Sequence, residues 1–181
     1  GRGPIGEFIG FQNFRDVFAS PRFWQAAWNS LQLFIFIFIF QNTVSLGLAR
    51  AALERAIGHA SAARFDHLDS ALSDLPTIRA YLAKAWTDLS AHEALLRETA
   101  ARVAEPDDTT VLAVLATKAG CNEAALRVTE TALRVTGGAG FSRQVGVDRP
   151  YRDARAGFVM APTSDALFDF TGRALCGLDL F

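Results

Sequence analysis

The sequence has 181 residues, half of them hydrophobic, with 18 Lys and Arg against 19 Asp and Glu for a formal net charge of -1. That length holds one domain with a sizeable core, and the composition excludes both a disordered chain and a strongly basic nucleic-acid binder. Cys121, Cys176, His59, His67 and His92 are scattered without the paired short spacings of a zinc site or a disulfide framework, which predicts no metal and the reducing conditions of the cytoplasm.

The chain opens on Gly1-Arg-Gly-Pro4 with neither a start methionine nor a signal-peptide pattern, so it reads as an interior fragment. Nine of its fifteen phenylalanines lie between Phe8 and Phe40, together with Trp24 and Trp28, and the text turns to Ala, Leu, Arg, Asp and Glu near residues 42–49. The organisation read from this is a hydrophobic segment over 1–45 and a helical domain over 46–181.

No charge falls between Arg22 and Arg50, a stretch long enough to cross a bilayer as a helix, which takes about 20 residues. Polar residues interrupt it at Gln25, Asn29, Ser30, Gln32, Gln41, Asn42, Thr43 and Ser45. Residues 23–49 are thus a candidate membrane contact, and membrane association is the alternative to a cytoplasmic chain. The run Phe34-Ile-Phe-Ile-Phe-Ile-Phe40 alternates two strand-favouring residue types, and such windows are aggregation-prone. Its flanks read as helix on both sides, so an all-round apolar helix is expected there. The stretches Phe8-Ile-Gly-Phe-Gln-Asn-Phe-Arg-Asp-Val-Phe18 and Ser20-Pro-Arg-Phe-Trp-Gln-Ala-Ala-Trp-Asn-Ser30 resemble the segment of sugar-type ABC transporter permeases that leads into a core membrane helix. The resemblance stops near Ala49, before the loop through which such permeases engage their ATPase, so no transport is expected.

From Leu46 the text reads as helices with short breaks: one near Leu46 to Ala60, then one carrying Leu75, Ile78, Leu82, Trp86, Leu89, Leu96 and Val103 as a buried face. Asp74 is the expected N-cap of that second helix, with Pro76 in its first turn. After Glu105-Pro-Asp-Asp108, Asp108 is the expected cap of a third helix with the stripe Leu112, Leu115, Ala119, Asn122, Leu126, Thr129 and Leu133, ended by Gly137 and Gly138. A shorter helix follows Pro162 and Thr163. The fold class expected is all-α: an up-and-down bundle of about four helices with an N-terminal hydrophobic helix. Asp66, His67 and Asp69 form a polar cluster open to an acid-base reading, but a solvated helix start accounts for them.

Two strings carry more. Thr129-Glu-Thr-Ala-Leu-Arg-Val-Thr-Gly-Gly-Ala-Gly-Phe141 is a helix ending on glycines that let backbone N–H groups approach an anion. Val147-Asp-Arg-Pro-Tyr-Arg-Asp-Ala-Arg155 reads as a loop carrying Arg149, Arg152 and Arg155 with Asp148 and Asp153. Together they resemble the Gly-Gly-x-Gly-Tyr and Tyr-Arg-Asp-Ala-Arg signature of acyl-CoA dehydrogenases, and Leu46-Gly-Leu-Ala-Arg-Ala-Ala-Leu-Glu54 is similar to the first helix of that family's C-terminal domain.

The resemblance implies an FAD-dependent oxidoreductase acting on acyl-CoA or a related substrate. It implies FAD contacts at Gly137, Gly138 and Gly140, toward the adenosine end of a flavin held by a neighbouring subunit, and at Thr163 and Asp165, near the diphosphate and the substrate cleft. It also implies a homo-oligomer, and Tyr151, Arg152, Asp153 and Arg155 locking their loop onto the bundle through ion pairs. Two positions depart from the family pattern. The glutamate that removes the acyl α proton is replaced by Ala161 in Met160-Ala-Pro-Thr-Ser-Asp165, which leaves no basic atom there and no catalytic residue to name. The glutamine before the glycines is Arg134. The missing base admits a second branch of the family, flavin-dependent monooxygenases, and the length implies an incomplete enzyme that is inactive alone.

Overall fold

A computed structural model describes residues 11–65 and 70–179. Six α-helices account for most of these residues: α1 (Gln12–Ala19), α2 (Pro21–Ala62), α3 (Pro76–Ala104), α4 (Thr110–Thr136), α5 (Asp148–Val159) and α6 (Ser164–Leu175). A two-residue antiparallel ribbon, β1 (Arg64–Phe65) with β2 (Ser70–Ala71), pairs Arg64 with Ala71 and Phe65 with Ser70 in the α2–α3 connection. The residues fall into two compact units, one ending at Ile37 and the other starting at Phe38.

The first unit contains α1 and the beginning of α2. Phe34 to Phe40 is helical, as its flanks predict. Proline is accepted at the first turn of α2 because the first N–H groups of a helix have no intrahelical partner, and no glycine or further proline interrupts the helix before Gly47.

The second unit is the all-α bundle that the periodicity predicts. Helix α4 is its axis: Val114, Thr117, Ala119, Cys121, Ala124, Ala125, Val128, Thr129 and Ala132 are buried, and α3, α5 and α6 all pack on it. On α2, Ala49, Ala52, Ala56 and Ala60 are wholly buried. Three of them, Ala52, Ala56 and Ala60, pack in one cluster with Ala132, Val135 and Val147, small side chains letting helices approach closely. Phe38, Leu46 and Leu53 join Leu89, Leu96, Val114 and Val128 in the larger cluster. Burying a leucine-sized side chain contributes about 2 kcal/mol, so these contacts, more than helix propensity, hold the bundle.

Polar groups follow the packing. Thr99 and Thr117 share a hydrogen bond of 2.7 Å between their hydroxyls inside the core, and Asp88 accepts from Nε and Nη2 of Arg127 at 2.8 and 2.9 Å, tying α3 to α4. Arg50 donates to Glu93 at 2.7 Å, tying α2 to α3.

Several local expectations change. Residues 148–155 form helix α5 and not a loop. The N-cap of α3 is Leu75, and the Asp74 carboxylate accepts instead from the Ala71 N–H at 2.7 Å, bracing the 3-10 turn Leu72–Asp74. At α4 it is Asp107, not Asp108, that works: its Oδ1 accepts from the Thr109 N–H and from the hydroxyls of Thr109 and Thr110, which hold its pKa below the usual carboxylate value. Leu75 and Trp86 stand largely exposed, whereas Ala85 and Thr99 are buried on α3. The helix read near Leu46 is the second half of α2. Phe8 to Gly10 of the permease-like string, and the cluster Asp66, His67 and Asp69, lie outside the described residues.

Candidate functional site

Helix α4 ends at Gly137, whose φ of +55° is a conformation side chains disfavour and glycine adopts freely. Its N–H closes the helix on Leu133 O. A 3-10 turn, Gly137–Phe141, follows. Gly138 is exposed, and a Cβ there would meet nothing within 4 Å. Gly140 is the opposite: it is buried, and a Cβ would overlap Thr136 Oγ1 and lie 2.8 Å from Leu133 Cδ1. The turn therefore offers bare backbone at Gly137 and Gly138 and is packed shut behind them at Gly140.

What holds the next loop is a residue that the motif does not contain. Nη1 of Arg55, on α2, donates to Gly146 O, while Val147 N donates to Gly140 O at 3.1 Å. Val147 is wholly buried. Arg152 and Asp153, expected to fasten this region to the bundle, pair within α5 itself: Arg152 with Asp148 at 3.1 Å and Arg149 with Asp153 at 3.4 Å. The Arg155 guanidinium lies 3.6 Å from the centre of the Tyr151 ring and donates to Tyr151 O. These are spacings of four residues along one helix, and such exposed pairs contribute only a few tenths of a kcal/mol each.

Helix α4 clamps both the last turns of α5 and the α5–α6 connection. Asn122 Nδ2 donates to Gly157 O at 2.9 Å, and Lys118 Nζ, one turn earlier, donates to Pro162 O at 3.2 Å. Gly157 has no room for a side chain, since a Cβ would stand 2.8 Å from Asn122 Oδ1. Lys118 is 7% exposed, and burial pushes its pKa down from the ordinary value because a charged ammonium is disfavoured away from water. Ala161, Pro162 and Thr163 are exposed; Thr163 is the N-cap of α6, with its hydroxyl free of any capping bond to the helix. Asp165 sits exposed in the first turn, where a carboxylate is favoured by the helix dipole. Ser164 is wholly buried, and its hydroxyl has no protein partner.

The five residues expected at a cofactor thus form two surfaces. The glycine turn stands at the C-terminal end of α4, whereas Thr163 and Asp165 stand beside Lys118. Along α4 from Lys118 to Gly137 the separation is about 28 Å at 1.5 Å per residue. Only a long ligand, or two different molecules, can use both. Arg134, near the first surface, places its guanidinium 4.6 Å over the Tyr81 ring, beside a groove of about 700 Å³ between α3 and α4 that Lys84, Asp88 and Arg127 also line. Sequence reading missed Arg55 and Lys118, and it put Asn122 on the buried stripe of α4 without a role. A lone arginine or lysine on a helix carries no local signal. Among the described residues no three His, Cys, Asp or Glu side chains gather as a metal site would need.

A family model for the acyl-CoA dehydrogenase C-terminal domain matches residues 41–175. Cyclohex-1-ene-1-carbonyl-CoA dehydrogenase of Geobacter metallireducens is 29% identical over 139 residues, covering 76% of this chain and 36% of the relative. The chain therefore spans about a third of that curated relative's length. Among solved structures, butyryl-CoA dehydrogenase from Megasphaera elsdenii superposes with a TM-score of 0.70 at 27% identity, over 77% of this chain and 36% of that one. XiaF from a Streptomyces species, solved with FADH2 and glycerol, shares the fold at a TM-score of 0.73 and 17% identity, over 81% of this chain and 39% of its own.

Proposed function

Because this chain belongs to the acyl-CoA dehydrogenase family through its C-terminal domain, we propose that it is the helical part of an FAD-dependent oxidoreductase acting on acyl-CoA or a related substrate. On this reading it supplies one wall of a site completed by segments that the longer relatives carry and by a second copy of the chain.

The observation that carries the proposal is the pairing of a bare glycine turn at the C-terminal end of α4 with an uncapped helix start beside Lys118 of the same helix. The two surfaces stand too far apart for the adenosine and diphosphate of a single FAD, so on this reading each meets a different flavin, the glycine turn that of a neighbouring copy; FAD would supply the acceptance of hydride when bound. The residues fit such a group: Gly137 and Gly138 leave backbone open to close approach, and the start of α6 combines unused N–H groups with an exposed Thr163 hydroxyl that makes no capping bond. A helix N-terminus with these donors suits a diphosphate. Asn122 and Lys118 then act as positioning residues that hold the connection leading into α6.

No residue at 161 can take the acyl α proton, so the chain alone is expected to be inactive and colourless after purification. Stoichiometric yellow FAD in that preparation would overturn the incomplete-site reading. Adding FAD together with the flavin-binding segments of a longer relative is expected to restore binding to the intact chain and not to a Gly138→Trp variant, which fills the open backbone. Equal binding by both would remove the glycine turn from the site. Ala161 also favours a second reading, an oxygen-activating branch of the family that needs no such base; oxygen consumption without acyl-CoA oxidation in the completed enzyme would distinguish it.

A further inference from the structure

Asn42 on α2 and Asn122 on α4 are both wholly buried, and each spends an amide donor on a backbone carbonyl. Asn42 Nδ2 donates to Phe38 O at 2.8 Å, and Asn122 Nδ2 donates to Gly157 O at 2.9 Å. Those bonds fix which way round each carboxamide sits, since turning either would set an oxygen against a carbonyl. Both Oδ1 atoms stay buried, and neither has a protein partner. A buried acceptor left unpaired carries the full desolvation penalty of the group, and native interiors pair such atoms with protein or with ordered water.

The neighbouring groups say where that partner stands. The point where a Gly157 Cβ would lie is 2.8 Å from Asn122 Oδ1 and 3.3 Å from Ser45 Oγ, so the two oxygens flank one spot beside α5. Glycine at 157 keeps side-chain atoms of its own out of that spot. Ser45 is 6% exposed, and Asn42 precedes it by three residues, the spacing that makes side chains neighbours on a helix. The set supplies two bare acceptors and one hydroxyl able to donate.

The chemistry of the set selects its guest. A water molecule brings two hydrogens for the two carboxamide oxygens and a lone pair for the Ser45 hydroxyl, the usual number of bonds for an internal water. A metal ion fits poorly. No carboxylate belongs to the set, and the Lys118 ammonium stands one turn before Asn122 on α4. A buried cation without a counter-charge costs far more than a neutral guest.

We infer that Asn42 Oδ1, Ser45 Oγ and Asn122 Oδ1 bind a single internal water molecule between α2, α4 and α5. This water holds the Asn122 carboxamide at its oxygen while Gly157 O holds it at its nitrogen. It therefore helps to brace the last turns of α5, just before Ala161.

The test is water-to-protein cross-relaxation by NMR on the isotope-labelled full chain, with the Nδ2 protons of Asn42 and Asn122 as reporters. Expected are cross-peaks at the water frequency on both carboxamides, with the sign of a long-held molecule. A Ser45 hydroxyl bonded straight to Asn122 Oδ1 would exchange its proton with solvent and give a similar peak. Ser45→Ala separates the two, because the hydroxyl is gone while both carboxamide oxygens remain for the water. Both cross-peaks are expected to persist in Ser45→Ala. Their loss in a variant whose amide spectrum is otherwise that of the parent would overturn the inference, as would the absence of any water contact in the parent. Ser45→Leu, whose side chain fills the spot, is expected to remove both cross-peaks and to lower the count of long-lived waters, read from solvent-oxygen relaxation, by one. An unchanged count would also sink the idea.

Discussion

Arg55 on α2 donates to the carbonyl of Gly146, so the loop after the glycine turn is held by a side chain 91 residues earlier in the chain. Gly146 itself has φ +61°, which frees its carbonyl to turn toward the guanidinium. Replacing Arg55 with Met is expected to cost about 1 kcal/mol, the net contribution of a typical hydrogen bond, because the guanidinium stays exposed to water. Hydrogen exchange should localise the loss: the Val147 amide, which donates to Gly140 O, should exchange faster while amides in the middle of α4 do not.

The glycines of the turn are expected to separate by substitution. Gly140→Ala places a methyl against Thr136 and Leu133 and should cost 1 to 3 kcal/mol, roughly the penalty for overpacking. Gly138→Ala enters open space and should stay within about 0.5 kcal/mol of the parent. Urea unfolding of the two variants side by side measures the difference, and equal midpoints would contradict the packing described.

Thr99 and Thr117 are mutual partners in the core. Thr117→Val should destabilise by about 1 to 2 kcal/mol, because it strips Thr99 of that partner. The double variant Thr99→Val with Thr117→Val should recover part of that loss, and a double-mutant cycle by thermal unfolding reads the coupling directly.

Cys121 is wholly buried, and burial pushes its thiol pKa up to about 12 from an ordinary 9.0. In native protein a thiol reagent at mildly alkaline pH should therefore modify Cys176, which is exposed, and modify Cys121 only after denaturation. The linkage has a definite sign. The native thiol keeps its proton between pH 9 and about 12 while the unfolded thiol loses it, so this group's contribution to stability is full below pH 9 and falls as pH rises through that window. Cys121→Ala should flatten that part of the stability profile.

The helices were readable because their causes are local. The stripe through Leu82, Leu89 and Leu96, the stop at Gly137 and the restart after Thr163 each depend on spacing or on the conformational range of one residue. The signature from Gly137 to Arg155 was equally legible as text, and it led to the family that the match over residues 41–175 establishes. The cap positions were read one residue away from their occupants at both α3 and α4. The aspartates at both breaks accept from neighbouring groups, Asp74 from the Ala71 N–H and Asp107 from Thr109 and Thr110, and only the path of the chain decides this. Composition changes over 42–49, whereas packing changes between Ile37 and Phe38, because a phenylalanine inside an aromatic run gives no sign of which ring turns into a core.

By itself the sequence determined an all-α chain, an aromatic beginning and a glycine-ended central helix, all properties of residue type and short spacing. Tertiary structure alone decided that Arg55, Lys118 and Asn122 do the holding. It also placed the start of α6 beside Lys118, about 28 Å along α4 from Gly137. The physical reason is separation: a partner 91 residues away, as Gly146 is from Arg55, is chosen by how the helices pack, and no periodicity in the chain records it.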